Sequence, residues 1–111
     1  MTWNIFLFET GRGEKPVEEF IKSLIPTTIA KITHTIDLLE QYGSLLNMPH
    51  SKKLTNNLYE LRIRGREEIR ILYTFQRRNI YLLHAFKKQS QKTPPKEIHI
   101  ALKRLKDLTN T

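Results

Sequence analysis

Between Leu58 and Pro95 the chain carries three short apolar runs in succession, and no other stretch narrows its fold as much. In the first, Tyr59, Leu61 and Ile63 share one parity and Glu60, Arg62 and Arg64 the other. In the second, Ile69, Ile71, Tyr73 and Phe75 alternate with Glu68, Arg70 and Thr74. A period of two sends successive side chains to opposite faces of a strand, so each strand has an apolar face and a basic face. Paired as neighbours, these strands stack their arginines into one cationic surface. The links Gly65-Arg-Glu-Glu and Gln76-Arg-Arg-Asn are short enough to make the strands an antiparallel meander. The third run has Ile80, Leu82 and Phe86 on one parity and Tyr81, Leu83 and Ala85 on the other. It is apolar on both faces, which predicts cover on both sides.

The flanks supply the cover. Trp3 to Phe8 reads as a first strand, and Gly11 and Gly13 mark a turn after it. Pro16 fits the first turn of a helix with Val17, Phe20, Ile21 and Leu24 as its apolar stripe. Pro26 ends that helix, Thr27 or Thr28 caps the next, and Gly43 stops it. Ile29, Ile32, Ile36 and Leu39 form the second stripe, and the short link makes an antiparallel helix hairpin. In the mixed stretch that follows, Leu45, Leu46, Met48 and Leu54 are expected in the core, with Lys52 and Lys53 just before the sheet and Asn56-Asn57 as a turn. A last helix is signalled by Thr93 as cap, Pro94 and Pro95 in the first turn, and Glu97 at its positive end. Its stripe is Ile98, Ala101, Leu102, Leu105 and Leu108, and Lys103, Arg104 and Lys106 are expected to face solvent. The predicted architecture is β-α-α-β-β-β-α, a single α+β domain with one mainly antiparallel sheet over residues 1–111.

The charge is uneven. Residues 1–50 hold four basic and six acidic side chains, whereas 51–111 hold fifteen and five. A net +10 on the half that carries the alternating strands points to a polyanionic partner, most often nucleic acid. There is no cysteine, which fits a reducing cytoplasm and removes thiolate metal sites and cysteine nucleophiles. No apolar run approaches the roughly 20 residues of a membrane span, and the first residues have neither the charge nor the small residues of a signal peptide. No membrane partner is expected.

Several chemistries find no support. His34, His50, His84 and His99 lack ligand partners at helical spacing, so no metal and no other cofactor is expected. No Gly-x-Ser-x-Gly elbow or phosphate-cradling glycine loop is present. The carboxylate pairs Glu18-Glu19 and Glu67-Glu68 read as solvated faces. What remains is a set of cations: Arg62, Arg64 and Arg70 on the strands, Lys87 and Lys88 at the end of the last strand, and Lys92 beyond it. A guanidinium fork matches phosphate oxygens and can stabilise the extra charge of a phosphodiester transition state. RNA carries its own nucleophile in the 2′-hydroxyl. Lysines crowded by arginines are expected to have lowered pKa values and so to serve as acid or base.

In the order and identity of these residues the chain resembles the RelE/HigB superfamily of bacterial toxins, in its phage-derived HigB-like branch. The likeness lies in Leu58-Tyr-Glu-Leu-Arg-Ile-Arg64, Ile69-Arg-Ile-Leu-Tyr73, Leu82-Leu-His-Ala-Phe-Lys-Lys88 and Gln91-Lys-Thr-Pro-Pro-Lys-Glu-Ile98, with Leu38 to Gly43, Met48-Pro and Lys52-Lys-Leu54 in support. It implies a RelE-like fold, a metal-independent endoribonuclease that cuts mRNA on the ribosome, and a cognate helix-turn-helix, HigA-like antitoxin. Carried over by position, Arg70 is the arginine at the scissile phosphate, Arg62 takes the place of the second of two alternating strand lysines, and Lys88 falls near an arginine after the last strand. With Lys87 these are the expected catalytic residues; Lys52, Lys53, Arg64, His84 and Lys92 are the expected RNA contacts. The chain departs from the pattern in two ways. Glu60 stands where the first lysine is expected, and no tyrosine follows Tyr81 to stack on the substrate base. Phe86 and His84 are the residues left to offer a stacking face and a general base. Two other functions fit the same residues: a ParE-like toxin that inhibits DNA gyrase without catalysis, and a basic RNA-binding module. Against the module, the loops lack exposed aromatic platforms.

Overall fold

In the computed structural model, which describes residues 2–109, the alternating strands sit at the middle of a five-stranded sheet. The elements are β1 (Asn4–Leu7), α1 (Pro16–Lys22), α2 (Pro26–Tyr42), β2 (Ser51–Thr55), β3 (Leu58–Ile63), β4 (Ile69–Gln76), β5 (Asn79–Lys87) and α3 (Pro95–Thr109), with a short 3-10 turn at Gly43–Leu45. Across the sheet the order is β1-β5-β4-β3-β2. β1 runs parallel to β5, and the other pairs are antiparallel. Four strands therefore follow the helix hairpin, one more than predicted. The extra one, β2, carries Lys52 and Lys53, which lie in the edge strand itself. Its sequence, Ser-Lys-Lys-Leu-Thr, has no apolar alternation, because an edge strand half in solvent needs none.

Both faces of the sheet are covered, as the third apolar run predicted. Val17, Leu24, Ile32 and Leu39 from the hairpin pack on Leu61, Ile63, Ile71, Tyr73 and Leu82. On the opposite face Ala101, Ile98 and Leu105 of α3 close over Leu58, Leu72, Leu83 and Phe86. Leu45 and Met48, expected in the core, are exposed, because the turn after α2 carries them outside the sheet.

The last strand departs from strict alternation. Leu72 pairs with His84 but Tyr73 pairs with Leu82, so Leu83 is an extra residue and the ladder carries a β-bulge. Beyond the bulge the parity flips. Ala85 joins Ile80 and Leu82 on the hairpin face, and Phe86 joins Leu83 under α3. The simple period-two assignment of Phe86 and Ala85 is thereby reversed.

Local signals explain the helix ends. Pro26 opens α2 rather than closing α1, with Ile25 before it and no side-chain cap; the Thr28 hydroxyl instead donates to Glu67. Thr93 likewise does not open α3, whose first backbone bonds go to the Pro94 carbonyl. Gly43 does stop α2, donating its N–H to the Leu39 carbonyl. It has φ +50°, and a Cβ there would stand 2.0 Å from Nε1 of Trp3. Trp3 is tied to the same turn by its N–H to the Glu40 carbonyl at 2.9 Å, and Arg78 lies 4.5 Å over its ring. Gly43 is thus required twice, for its backbone conformation and for the indole packed on it. Gly43→Ala should destabilise the domain by roughly 2–4 kcal/mol, combining left-handed strain with overpacking. A urea midpoint indistinguishable from wild type would show that neither constraint holds.

Candidate functional site

β3 and β4 place Arg62 directly opposite Arg70, on the sheet face away from the helix hairpin. Like charges directly opposite destabilise a strand pair. Glu60 resolves the conflict. Its Oε1 accepts from Arg62 Nε at 3.1 Å and lies 3.6 Å from Arg70 Nε. Its Oε2 accepts from the Thr93 hydroxyl, drawing down the segment before α3. Arg70 also reaches the Ile69 carbonyl at 3.4 Å and Glu68 at 3.8 Å.

The parity of Arg70 is as the sequence indicated, opposite to Ile69, Ile71 and Tyr73, but its exposure is not. Arg70 is 3% exposed and Glu60 2%. The segment from Lys88 to Thr93 crosses above them, and the space enclosed with Glu60, Arg70, Phe86, Lys88 and Thr93 is ≈10 Å³. That holds about one water and no phosphate. Burial pushes the Arg70 pKa down from the ordinary arginine value, and the Glu60 carboxylate opposes it.

The expected cationic surface divides. Arg62, Arg70, Lys88 and Lys92 gather around Glu60. Lys87, beyond the bulge, is paired opposite Ile69 and so lies on the hairpin face. There its ammonium is 2.6 Å from Glu67, whose other partner is Thr28 of α2. Lys88 is 3.3 Å from Glu68. These lysines are faced by carboxylates rather than crowded by arginines. Glu67 and Glu68 are accordingly not a solvated face, and the lysine hydrogen bonds hold both carboxyls below their usual range. Lys52 is exposed opposite Glu60, on the arginine face. Lys53 is exposed on the other side, 6.0 Å over the Tyr59 ring. Arg64 lies in solvent past the end of β3.

His84 is part of a second network. Its Nε2 is 2.8 Å from Glu97 Oε1, and its Nδ1 is 3.3 Å from Arg104 Nη1. Arg104 has no acceptor, so Nδ1 must accept and the proton sits on Nε2, donated to Glu97. Neither nitrogen is free to take a substrate proton. Arg104 also donates to the Leu83 carbonyl at 2.8 Å and lies 5.6 Å over Phe8. It was expected in solvent; instead it fastens α3 to the bulge, where a carbonyl is free. Phe86 stacks on His84 within the core and offers no face to a substrate.

Sequence reasoning missed Glu60 as the hub. Its signal was there: a carboxylate two residues from Arg62 on the same strand face. Among the described residues, no group of three histidine or acidic side chains is placed to hold a metal ion. No helix among them is long and apolar enough to cross a membrane.

A small α+β domain with one mixed sheet and an arginine–carboxylate hub on its second face is what fold and site define. The chain belongs to the family described as Phage derived protein Gp49-like (DUF891), a family of RelE toxin-like proteins, whose model matches residues 19–106 and so contains every site residue named above. No curated protein matches the chain.

Two outcomes are expected from this geometry. Arg70→Ala leaves Glu60 buried with one guanidinium fewer, so it should destabilise by roughly 3 kcal/mol, while Glu60→Met with Arg70→Met together should recover most of that loss. Additive damage in the double variant would show that the two do not interact. For His84, burial pushes the pKa below the ordinary value of about 6.5 despite Glu97, with Arg104 and Lys96 adding to the depression. The unfolded chain then binds its proton first. Stability is retained above pH about 6.5 and falls on acidification below it, by at most about 1.4 kcal/mol per pH unit for one group. Melts between pH 7.5 and 5.5 should show this slope in wild type and a flatter one in His84→Gln.

Proposed function

We propose that the chain is the toxin of a type II toxin–antitoxin pair and cuts translated mRNA at the Glu60–Arg62–Arg70 hub. The observation that carries this reading is the convergence of two guanidiniums, opposite in register, on one carboxylate. Preorganised guanidiniums are suited to the charge of a phosphorane-like state. The 2′-oxygen of the substrate attacks the adjacent phosphorus while its proton passes to Glu60. The bond to the 5′-oxygen breaks, and that oxygen takes a proton from Lys88. Arg62 and Arg70 hold the phosphate, and Lys52 and Lys92 guide the strand. Arg70 becomes available when the Ser90–Thr93 crossing lifts and Thr93 leaves Glu60. The ribosome supplies the positioning of the message, and a helix-turn-helix antitoxin of HigA type is the expected neutralising partner. Both rest on family membership and on the resemblance of the strand motifs.

Glu60→Gln keeps an acceptor for Arg62, reverses the bond to Thr93 and cannot take a proton, and should slow single-turnover cleavage on programmed ribosomes by roughly 100- to 10,000-fold. Arg62→Ala, with a side chain 15% exposed, is the cleaner arginine variant and should lose roughly 100- to 1,000-fold. The upstream product should end in a 2′,3′-cyclic or 3′-phosphate, and a 2′-deoxy residue at the cut should block the reaction. Wild-type rates in both variants would remove the hub from the chemistry.

One observation favours a second reading. Arg70 is buried and faced by two carboxylates, as a structural arginine would be. A non-catalytic toxin of ParE type would then act through its surface. Pulse labelling in cells separates the two: the nuclease stops protein synthesis first, the gyrase inhibitor stops DNA synthesis first.

A further inference from the structure

The hub is closed, but on the other side of Arg62 there is an open cleft of ≈370 Å³. Small-ligand sites run from roughly 300 to 1,000 Å³, so it is large enough for one ring system and a substituent, and too small for a folded segment. The exposed side of α2 forms one wall, the chain before β2 another, and the end of β3 the floor. Ala30, Pro49 and Ile63 make it apolar, while His34 and His50 add two imidazoles to its lining.

Its charge is one-sided. Lys31, Arg62 and Arg64 line it, and no carboxylate does. Arg62 is committed to Glu60, but Lys31 and Arg64 form no salt bridge among the described residues. Lys31 is nevertheless brought in close: its Nζ lies 2.8 Å from where a Cβ on Gly65 would stand, next to Arg64. Lys31 and Arg64, outside any salt bridge though Arg64 is within electrostatic reach of Glu68, both line an apolar cleft, where they are unfavourable to each other and favourable to an anion.

We propose that this cleft is a nucleotide subsite, taking one base of a single-stranded RNA over Pro49 and between His34 and His50, with the adjoining phosphate on Lys31 and Arg64. The inference rests on the RNA reading above and deepens it. Arg62 borders both the cleft and the hub, so a strand seated in the cleft leads its neighbouring phosphate toward Glu60. An acidic peptide would match the rim charge, but not the single-ring volume or the two imidazoles. Base stacking of this kind tolerates several bases and grades them by stacking strength.

The experiment is a titration of the full chain with 5′-AMP, 5′-CMP and short single-stranded oligoribonucleotides, without ribosomes, followed by the imidazole proton signals. The His34 and His50 signals should move while those of His84 and His99 stay. Ala30→Trp fills the cleft from the exposed side of α2, and Lys31→Glu with Arg64→Glu reverses its rim. Each should weaken oligonucleotide binding at least tenfold with an unchanged melt. Unmoved His34 and His50 signals at millimolar nucleotide, or the same shifts in Ala30→Trp, would overturn the subsite. So would an acidic peptide that moves them while nucleotides do not. The outcomes are separable from the nuclease reading. Nucleotide binding in a protein that cuts no message sinks that reading alone, and cleavage with unaltered site preference in Ala30→Trp sinks the subsite alone.

Discussion

Two guanidiniums facing each other across adjacent strands cannot be buried unless a negative charge lies between them, and Glu60 is that charge. Much of the second sheet face follows from it. Glu60 engages Arg62 and Arg70, and through Thr93 it fixes the path of the chain into α3. Without the carboxylate, that face would have to stay open to water. With it, arginines can sit beside Leu72 and Phe86 in an otherwise apolar layer. A buried ion pair of this kind is weak evidence for stability, since its desolvation offsets much of its attraction.

The bulge at Leu83 matters nearly as much. By reversing the parity of β5 it sends His84 and Phe86 to the α3 side and Lys87 to the helix-hairpin side. It also leaves the Leu83 carbonyl to accept from Arg104, and the His84–Glu97–Arg104 network locks α3 across the sheet. The helix is therefore held at the bulge by hydrogen bonds and at its start by Thr93. Between these anchors and β5 runs the Ser90–Lys92 segment, exposed along its length. Motion at the hub is expected there, because this segment buries little and its loss exposes Arg70 without unpacking either core.

Seen from the charge distribution, the surface has two kinds of cation. Lys87, Lys88, Arg62 and Arg70 are answered by Glu67, Glu68 and Glu60. Among the described residues Lys52, Lys53, Arg64 and Lys31 form no salt bridge. The first set is neutralised by its carboxylates; the second leaves an outward positive field.

From the sequence alone came four of the five strands, the helix stripes apart from Leu102, which is exposed, the stop at Gly43, the double cover of β5 and the concentration of positive charge after residue 50. These are local or periodic properties: a period of two or 3.6 and a φ preference are written in neighbouring residues. Periodicity assigns residues to a face but cannot say whether that face is covered, and so Arg70, Glu60 and Arg104 were expected in solvent or passed over. Only the packing of α3 and the Thr93 segment decided their burial. The bulge was equally invisible, since one inserted leucine among apolar neighbours leaves no mark on a run that is apolar on both sides. The strand β2 lacked an apolar pattern because it is an edge, held by its ladder with β3 rather than by its own side chains. Pairings between residues far apart in the chain chose, among faces the sequence had already defined, which one closes and which cations remain free.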